Sequence, residues 1–132
     1  MKIILMPDHL VDETNIEEKI FGKNYTIASV NNNSKNKVPE KLWRSYHGIL
    51  VWHHCKIDKE IIDKLENCKV IVRIGVGFDS IDLLYAKKKN IKVCNVPDYG
   101  TNDVADHAIS LMLSLARGIN KFNYEIRTRL YR

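Results

Sequence analysis

Residues 70–74 read VIVRI, a β-branched run of the kind that fills a parallel strand buried on both faces. Gly75 and Gly77 follow at once, so main-chain amides lie bare at the strand's carboxyl end. Open α/β sheets bind their ligands at that edge. Glycines let a small anion approach the backbone closely, and successive N–H groups in a tight turn form a concavity that holds an anion without a charged side chain. Arg73, two residues before Gly75, can add a cation.

The rest of the chain alternates in the same way. Strands are expected over residues 2–6 (KIILM, ended by Pro7 and Asp8), 25–30, 49–53, 70–74 and 91–96, the last ended by Pro97. A first helix is expected to start at Thr14-Asn15-Ile16-Glu17 and reach about Phe21 and Gly22. Pro39 opens a second to about Tyr46, Asp58 caps a third through Leu65, and a fourth spans 81–89. The polar run 31–37 (NNNSKNK) reads as a loop. Strand and helix in turn predict an α/β fold, a parallel sheet of about five strands with helices on both faces.

The last predicted helix begins at a Thr101 or Asn102 cap and extends to about Leu130, some 40 Å at about 1.5 Å per residue. Arg117-Gly118 offers an earlier stop. Residues 104–116 are apolar nearly all round, so this helix wants burial on every side and, standing alone, should expose an apolar stripe or cover it with a partner.

Composition bounds the function classes. The chain has 132 residues, 45% of them hydrophobic, which suits one domain with a normal core. Its formal charge of +5 comes from 21 basic against 16 acidic residues. The dense basic spots, residues 87–89 and 127–132, read as solvated helix ends; with no aromatic interleaving, nucleic acid is not an expected partner. Three cysteines without CxxC spacing are expected to be reduced. No charged and apolar leader opens the chain, and no apolar run approaches the roughly 20 residues of a membrane span, so a soluble cytoplasmic protein is expected. His53-His54-Cys55 suggests metal chemistry, but neighbours on a strand face opposite ways. Only His53 and Cys55 can share a face, and without a second cluster no metal is expected.

Gly75-Val76-Gly77-Phe78-Asp79-Ser80 looks at first like a dinucleotide fingerprint, since it follows a strand and precedes a helix. The third glycine is replaced by Ser80, and Asp79 would set a negative charge near a pyrophosphate, so that reading is rejected. Three blocks carry a different identification: RIGVGFDSID at 73–82, VCNVPDY at 93–99 and VADH at 104–107. In order and spacing they resemble the D-isomer-specific 2-hydroxyacid dehydrogenases, and within that family the branch similar to the C-terminal-binding-protein corepressors. The resemblance covers about residues 47–120; the segment before it matches only in its strand and helix pattern. It implies a flavodoxin-like substrate-binding domain over 1–101 and, over 102–132, a long crossover helix leading to a Rossmann NAD-binding domain absent from this chain. The family's catalytic arginine, glutamate and histidine belong to the part that would follow Arg132, so no catalytic residue is assigned here.

The resemblance and the glycine turn together nominate the amides of Val76 and Gly77 as holders of a substrate carboxylate, with Arg73 behind them. The plainer readings are a tight turn without a ligand and, for Arg73, an ion pair with Asp79 or a neighbouring helix. His53, expected to close the third strand, matches a histidine near the substrate in the corepressor-like branch. Tyr99 lies in the loop before the long helix, where it touches substrate or forms a capping turn. Val104 matches a position beside the nicotinamide ring, so Val76 and Val104 are the cofactor-binding candidates, with ordinary helix packing the alternative for Val104. Asp106 and His107 do not form an acid–base pair, because helix neighbours diverge by about 100 degrees.

The implied activity is oxidation or reduction at the CH–OH group of a D-2-hydroxy acid with NAD. A small 2-keto or 2-hydroxy acid is the partner, and a homodimer is the expected full-length assembly. The isolated chain is expected to be inactive and to bind NAD weakly. Two other classes stay open: a noncatalytic module or truncated subunit that docks a partner through the long helix, and a flavin or receiver-type binder. For the latter, Asp8 with Asp12 and Glu13 beyond it is thin support, and no phosphate loop follows the first strand.

Overall fold

The computed structural model describes residues 2–9, 13–31 and 38–128. The chain divides into two units, Met1–Pro97 and Asp98–Arg132. The first is built on five parallel strands, β1 (Lys2–His9), β2 (Tyr25–Asn31), β3 (Gly48–Val51), β4 (Val70–Arg73) and β5 (Lys92–Cys94). Their order is β2-β1-β3-β4-β5, the flavodoxin-like arrangement the sequence led us to expect. The strand order reverses at β1, and right-handed connections running outward in opposite directions put their helices on opposite faces. The β1–β2 connection carries α1 (Asn15–Phe21); β3–β4 and β4–β5 carry α2 (Lys59–Asp63) and α3 (Leu83–Lys88).

Register explains the core. Leu5 pairs with Ala28 and Ile49, Ile49 with Ile71, and Ile71 with Val93, so one apolar row crosses the sheet on one face. Trp43 and Tyr46, in and just after a 3-10 turn at Glu40–Ser45, pack on that row with Ile62, Leu65 and Ala86. Pro39 therefore opens a 3-10 turn rather than an α-helix. Two aspartates start helices as acceptors: Asp58 takes the Ile61 N–H at 3.2 Å, and Asp82 takes the Tyr85 N–H at 2.9 Å. Ile81, expected within the fourth helix, instead forms a parallel bridge with Ile57, and that helix begins at Leu83.

β5 stops at Cys94 rather than reaching Val96, and the ends of β1 and β3 differ from expectation for one shared reason. β1 continues through Pro7 to His9, with a register shift between Met6 and His9 that accommodates the missing proline N–H. This extension carries Asp8 to full burial. Its Oδ1 accepts the Trp52 N–H at 2.8 Å, and its Oδ2 accepts those of His54 and Cys55, both at 2.9 Å. Those donors are turned to the carboxylate instead of a neighbouring strand, so β3 stops at Val51 and His53 lies in the following loop rather than closing the strand.

The second unit holds α4 (Thr101–Ala116) and α5 (Ile119–Thr128) in place of one helix reaching Leu130. Gly118, at φ +62, breaks it as the alternative stop. Gly100 occupies the N-cap without a side-chain bond, so neither Thr101 nor Asn102 caps α4. None of the α4 residues is buried. No helix among the described residues is long and apolar enough to cross a membrane. Asp12, the loop residues 32–37 and the last four basic-terminus residues, 129–132, lie outside the described residues.

Replacing Asp8 by alanine removes the acceptor from three part-buried N–H groups. Asp8→Ala is expected to lower unfolding stability by about 3 kcal/mol, and Asp8→Asn by less because one oxygen remains. Urea midpoints measure both; a loss under about 1 kcal/mol for the alanine variant would mean those amides find other acceptors.

Candidate functional site

The chain leaves β4 through a turn whose carbonyls at Ile74, Gly75 and Val76 all accept hydrogen bonds. The Ile74 N–H donates to the Val51 carbonyl at 2.8 Å, extending the ladder by one step, and the Gly75 N–H turns back to the Arg73 carbonyl at 3.0 Å. Gly75 sits at φ +142, where side chains are rarely tolerated. A Cβ there would also overlap Arg73 Nη1, because the half-buried Arg73 side chain folds back and donates to the Ile74 carbonyl. The Gly75 carbonyl accepts the Val96 N–H at 3.0 Å, and the Val76 carbonyl accepts Asn95 Nδ2 at 2.8 Å. The N–H groups of Val76 and Gly77, like those of Phe78, Asp79 and Ser80 after them, have no acceptor among the described residues, and Val76 and Gly77 are both exposed.

His53 belongs to the same edge. Val51 pairs with Arg73, so the loops leaving β3 and β4 emerge side by side. His53 is exposed, and its ring lies 4.2 Å from that of His54, centroid to centroid, at 46°. Four candidate residues, His53, Arg73, Val76 and Gly77, thus share the carboxyl edge of β3 and β4. Tyr99 and Val104 belong to the second unit, where both are exposed. Arg73 makes no ion pair with Asp79 or with a helix among the described residues; its guanidinium bonds the Ile74 carbonyl instead.

Sequence reasoning missed the buried polar cluster beneath the His53 loop. His9 is buried beside Asp8, with Nδ1 at 3.4 Å from Ser29 Oγ, Nε2 at 3.7 Å from Glu17 Oε1, and its ring 5.9 Å from that of Trp52. Only the β1 extension past Pro7 could have signalled it. Burial, helped by the Asp8 and Asp58 carboxylates, pushes the Cys55 thiol up to about 11, and burial pushes Cys68 up to about 11 as well. Neither is a poised nucleophile. No group of three His, Cys, Asp or Glu residues that could hold a metal occurs among the described residues.

A family model for the D-isomer specific 2-hydroxyacid dehydrogenase catalytic domain matches residues 4–129. The chain belongs to that family. A putative 2-hydroxyacid dehydrogenase of Staphylococcus epidermidis is 46% identical over 72 residues, 54% of this chain and 23% of that protein. C-terminal-binding protein 1 of Caenorhabditis elegans is 34% identical over 105 residues, 80% of this chain and 14% of its own length. Among solved structures, D-lactate dehydrogenase from Aquifex aeolicus, complexed with NAD and lactic acid, superposes with a TM-score of 0.80 at 25% identity over 99% of this chain and 38% of that one. The chain therefore spans well under half the length of these dehydrogenase-family relatives.

Two outcomes follow from the site's geometry. Gly75→Ala must either strain the turn or expel the Arg73 guanidinium, and is expected to cost about 1–3 kcal/mol in urea unfolding; an unchanged midpoint would show that the turn relaxes freely. Iodoacetamide at pH 8 should label exposed Cys94 first. Cys55 and Cys68, with thiolate fractions near one in a thousand at a pKa of about 11, should react fully only in urea. Equal labelling of all three in the native protein would contradict the burial.

Proposed function

We propose that this chain is the substrate-binding part of an NAD-dependent oxidoreductase acting on the CH–OH group of a D-2-hydroxy acid, or on the corresponding 2-keto acid in reverse. The observation that carries the reading is the run of acceptor-free amides that opens with Val76 and Gly77 at the carboxyl edge of the sheet beside Arg73; these first two, with both carbonyls before them held, are the ones whose direction is fixed. A carboxylate offers two oxygens to two such donors, and hydrogen bonds to a charged acceptor are worth about 1.5–3 kcal/mol each. Arg73 adds a nearby positive charge and His53 lines the substrate, while Tyr99, in the second unit, is a substrate-contact candidate on the family pattern alone.

NAD suits the same residues. The Val76 side chain is half exposed beside its free amide and supplies apolar contact for one face of a nicotinamide ring; Val104, exposed in the second unit, is a cofactor-binding candidate on the family pattern alone. The cofactor's contribution is to carry the hydride; this chain's contribution is to bind and orient the acid. No residue here is assigned the proton transfer, and the main cofactor-binding surface belongs to a domain following the crossover helix in the family. A cytoplasmic location and a homodimer of the longer protein complete the reading. A second reading, a noncatalytic module that docks a partner through α4, is favoured by the exposure of Val104, Leu111, Met112 and Leu115 on that helix.

The purified chain is expected to give no oxidation of NADH with glyoxylate, pyruvate or hydroxypyruvate, while oxamate, a stable 2-keto-acid analogue, shifts the Val76 and Gly77 resonances in a ¹H–¹⁵N spectrum. Measurable turnover would overturn the assignment of binding without catalysis. Amides that stay still at saturating oxamate would overturn the carboxylate site.

A further inference from the structure

The peptide group is planar and trans, so the carbonyl of one residue and the N–H of the next point in opposite directions from one plane. Fixing the carbonyl therefore aims the N–H. In this loop both relevant planes are held by their oxygens from the strand-exit segment after β5: the Gly75 carbonyl by the Val96 N–H at 3.0 Å, and the Val76 carbonyl by Asn95 Nδ2 at 2.8 Å. The first contact aims the Val76 N–H and the second aims the Gly77 N–H, both away from residues 95–96.

The two contacts are not equivalent. The Val96 donor is main chain, which any residue but proline supplies. The Asn95 donor is a side-chain amide in an exposed hydrogen bond, so its identity matters. The plane it holds is also the easier one to invert. A flip of the 76–77 peptide is absorbed by ψ of Val76 and φ of Gly77, and glycine crosses to positive φ with little steric cost. Inversion would present a carbonyl oxygen to the anion where an N–H had been. An accepted hydrogen bond on the carbonyl also polarises the peptide and strengthens its N–H as a donor.

We propose that Asn95 is a positioning residue for the carboxylate site: by donating to the Val76 carbonyl it locks the 76–77 peptide with the Gly77 N–H directed at the substrate. This rests on the reading of the Val76 and Gly77 amides given above. An aspartate at position 95 would be nearly isosteric but acceptor-only, repelled by the Val76 carbonyl and attracted to the Gly77 N–H of the inverted plane.

Oxamate titrations of the ¹⁵N-labelled chain, followed at the Val76 and Gly77 amides, test this with Asn95→Asp and Asn95→Ala. Asn95→Asp is expected to weaken oxamate binding at least about tenfold, the loss of one charge-assisted hydrogen bond, and to displace the Gly77 resonance in the ligand-free spectrum. Asn95→Ala, which adds no charge, should weaken binding by about fivefold, with the Val76 amide still responding. Urea midpoints close to wild type are expected for both, because the contact is exposed; if the aspartate variant unfolds early, the alanine variant decides. Affinities within twofold of wild type, with the Gly77 amide still shifting, would overturn the role of Asn95 alone. Silence of both amides in the unsubstituted chain would overturn the carboxylate reading and this proposal together.

Discussion

A parallel sheet ends all its strands at one edge, and there the ladder stops supplying hydrogen-bond partners. Each loop leaving that edge must find acceptors for its N–H groups elsewhere or leave them to water and ligands. The two central loops solve this in opposite ways. After β3, a carboxylate from the same chain, Asp8, takes the N–H groups of Trp52, His54 and Cys55. After β4, the carbonyls are taken and the N–H groups of Val76 and Gly77 are not. The first loop is a carboxylate site filled from within; in the second no carboxylate accepts from Val76 or Gly77, although Asp79 stands in the same loop.

The difference traces to single residues. Asp8 reaches its position because β1 runs past Pro7, and a bulge at that proline lets a strand continue where a central strand would otherwise end. The β4 loop holds its shape through Gly75, whose φ of +142 and absent Cβ admit the Arg73 guanidinium, and through residues 95 and 96, which hold two carbonyls. Charge follows the same division. The β3 loop is already neutralised by an anion, whereas the β4 loop carries an arginine that no carboxylate among the described residues pairs.

Much of this edge was readable from local pattern. The β-branched runs located all five strands, and Gly75 with Gly77 located the turn, because burial on both faces and tight turns each demand particular residue types within a short window. Asp58 was legible as a cap for the same reason. What escaped were contacts between segments far apart in sequence. Asp8 lies 44 residues from Trp52, and nothing local marks an aspartate after proline as a buried acceptor rather than a strand terminator. His53 was misplaced as a strand residue for that reason alone. Asn95 stood in a recognised block, yet its partner, Val76, is 19 residues away and its purpose visible only in the pairing. The long helix failed at Gly118, where an apolar pattern continuing into α5 outweighed a single glycine whose left-handed conformation ends the run.

The chemistry available at this edge also sets its limits. In the proposed site, two amides holding a carboxylate beside Arg73 would bind substrate and transition state almost equally, since the carboxylate's charge does not change while a hydride leaves or joins the neighbouring carbon. Such uniform binding lowers the concentration of acid needed and fixes its orientation, but it does not lower the barrier from the bound state. The barrier falls only through groups that meet the charge developing on the keto oxygen, and the proposed carboxylate holders, Arg73 and the Val76 and Gly77 amides, supply no acid or base. Cys55 is half-buried with its thiol pushed up to about 11, and Asp8 is consumed by three main-chain donors. On the proposed reading, these residues contribute selectivity and position rather than rate.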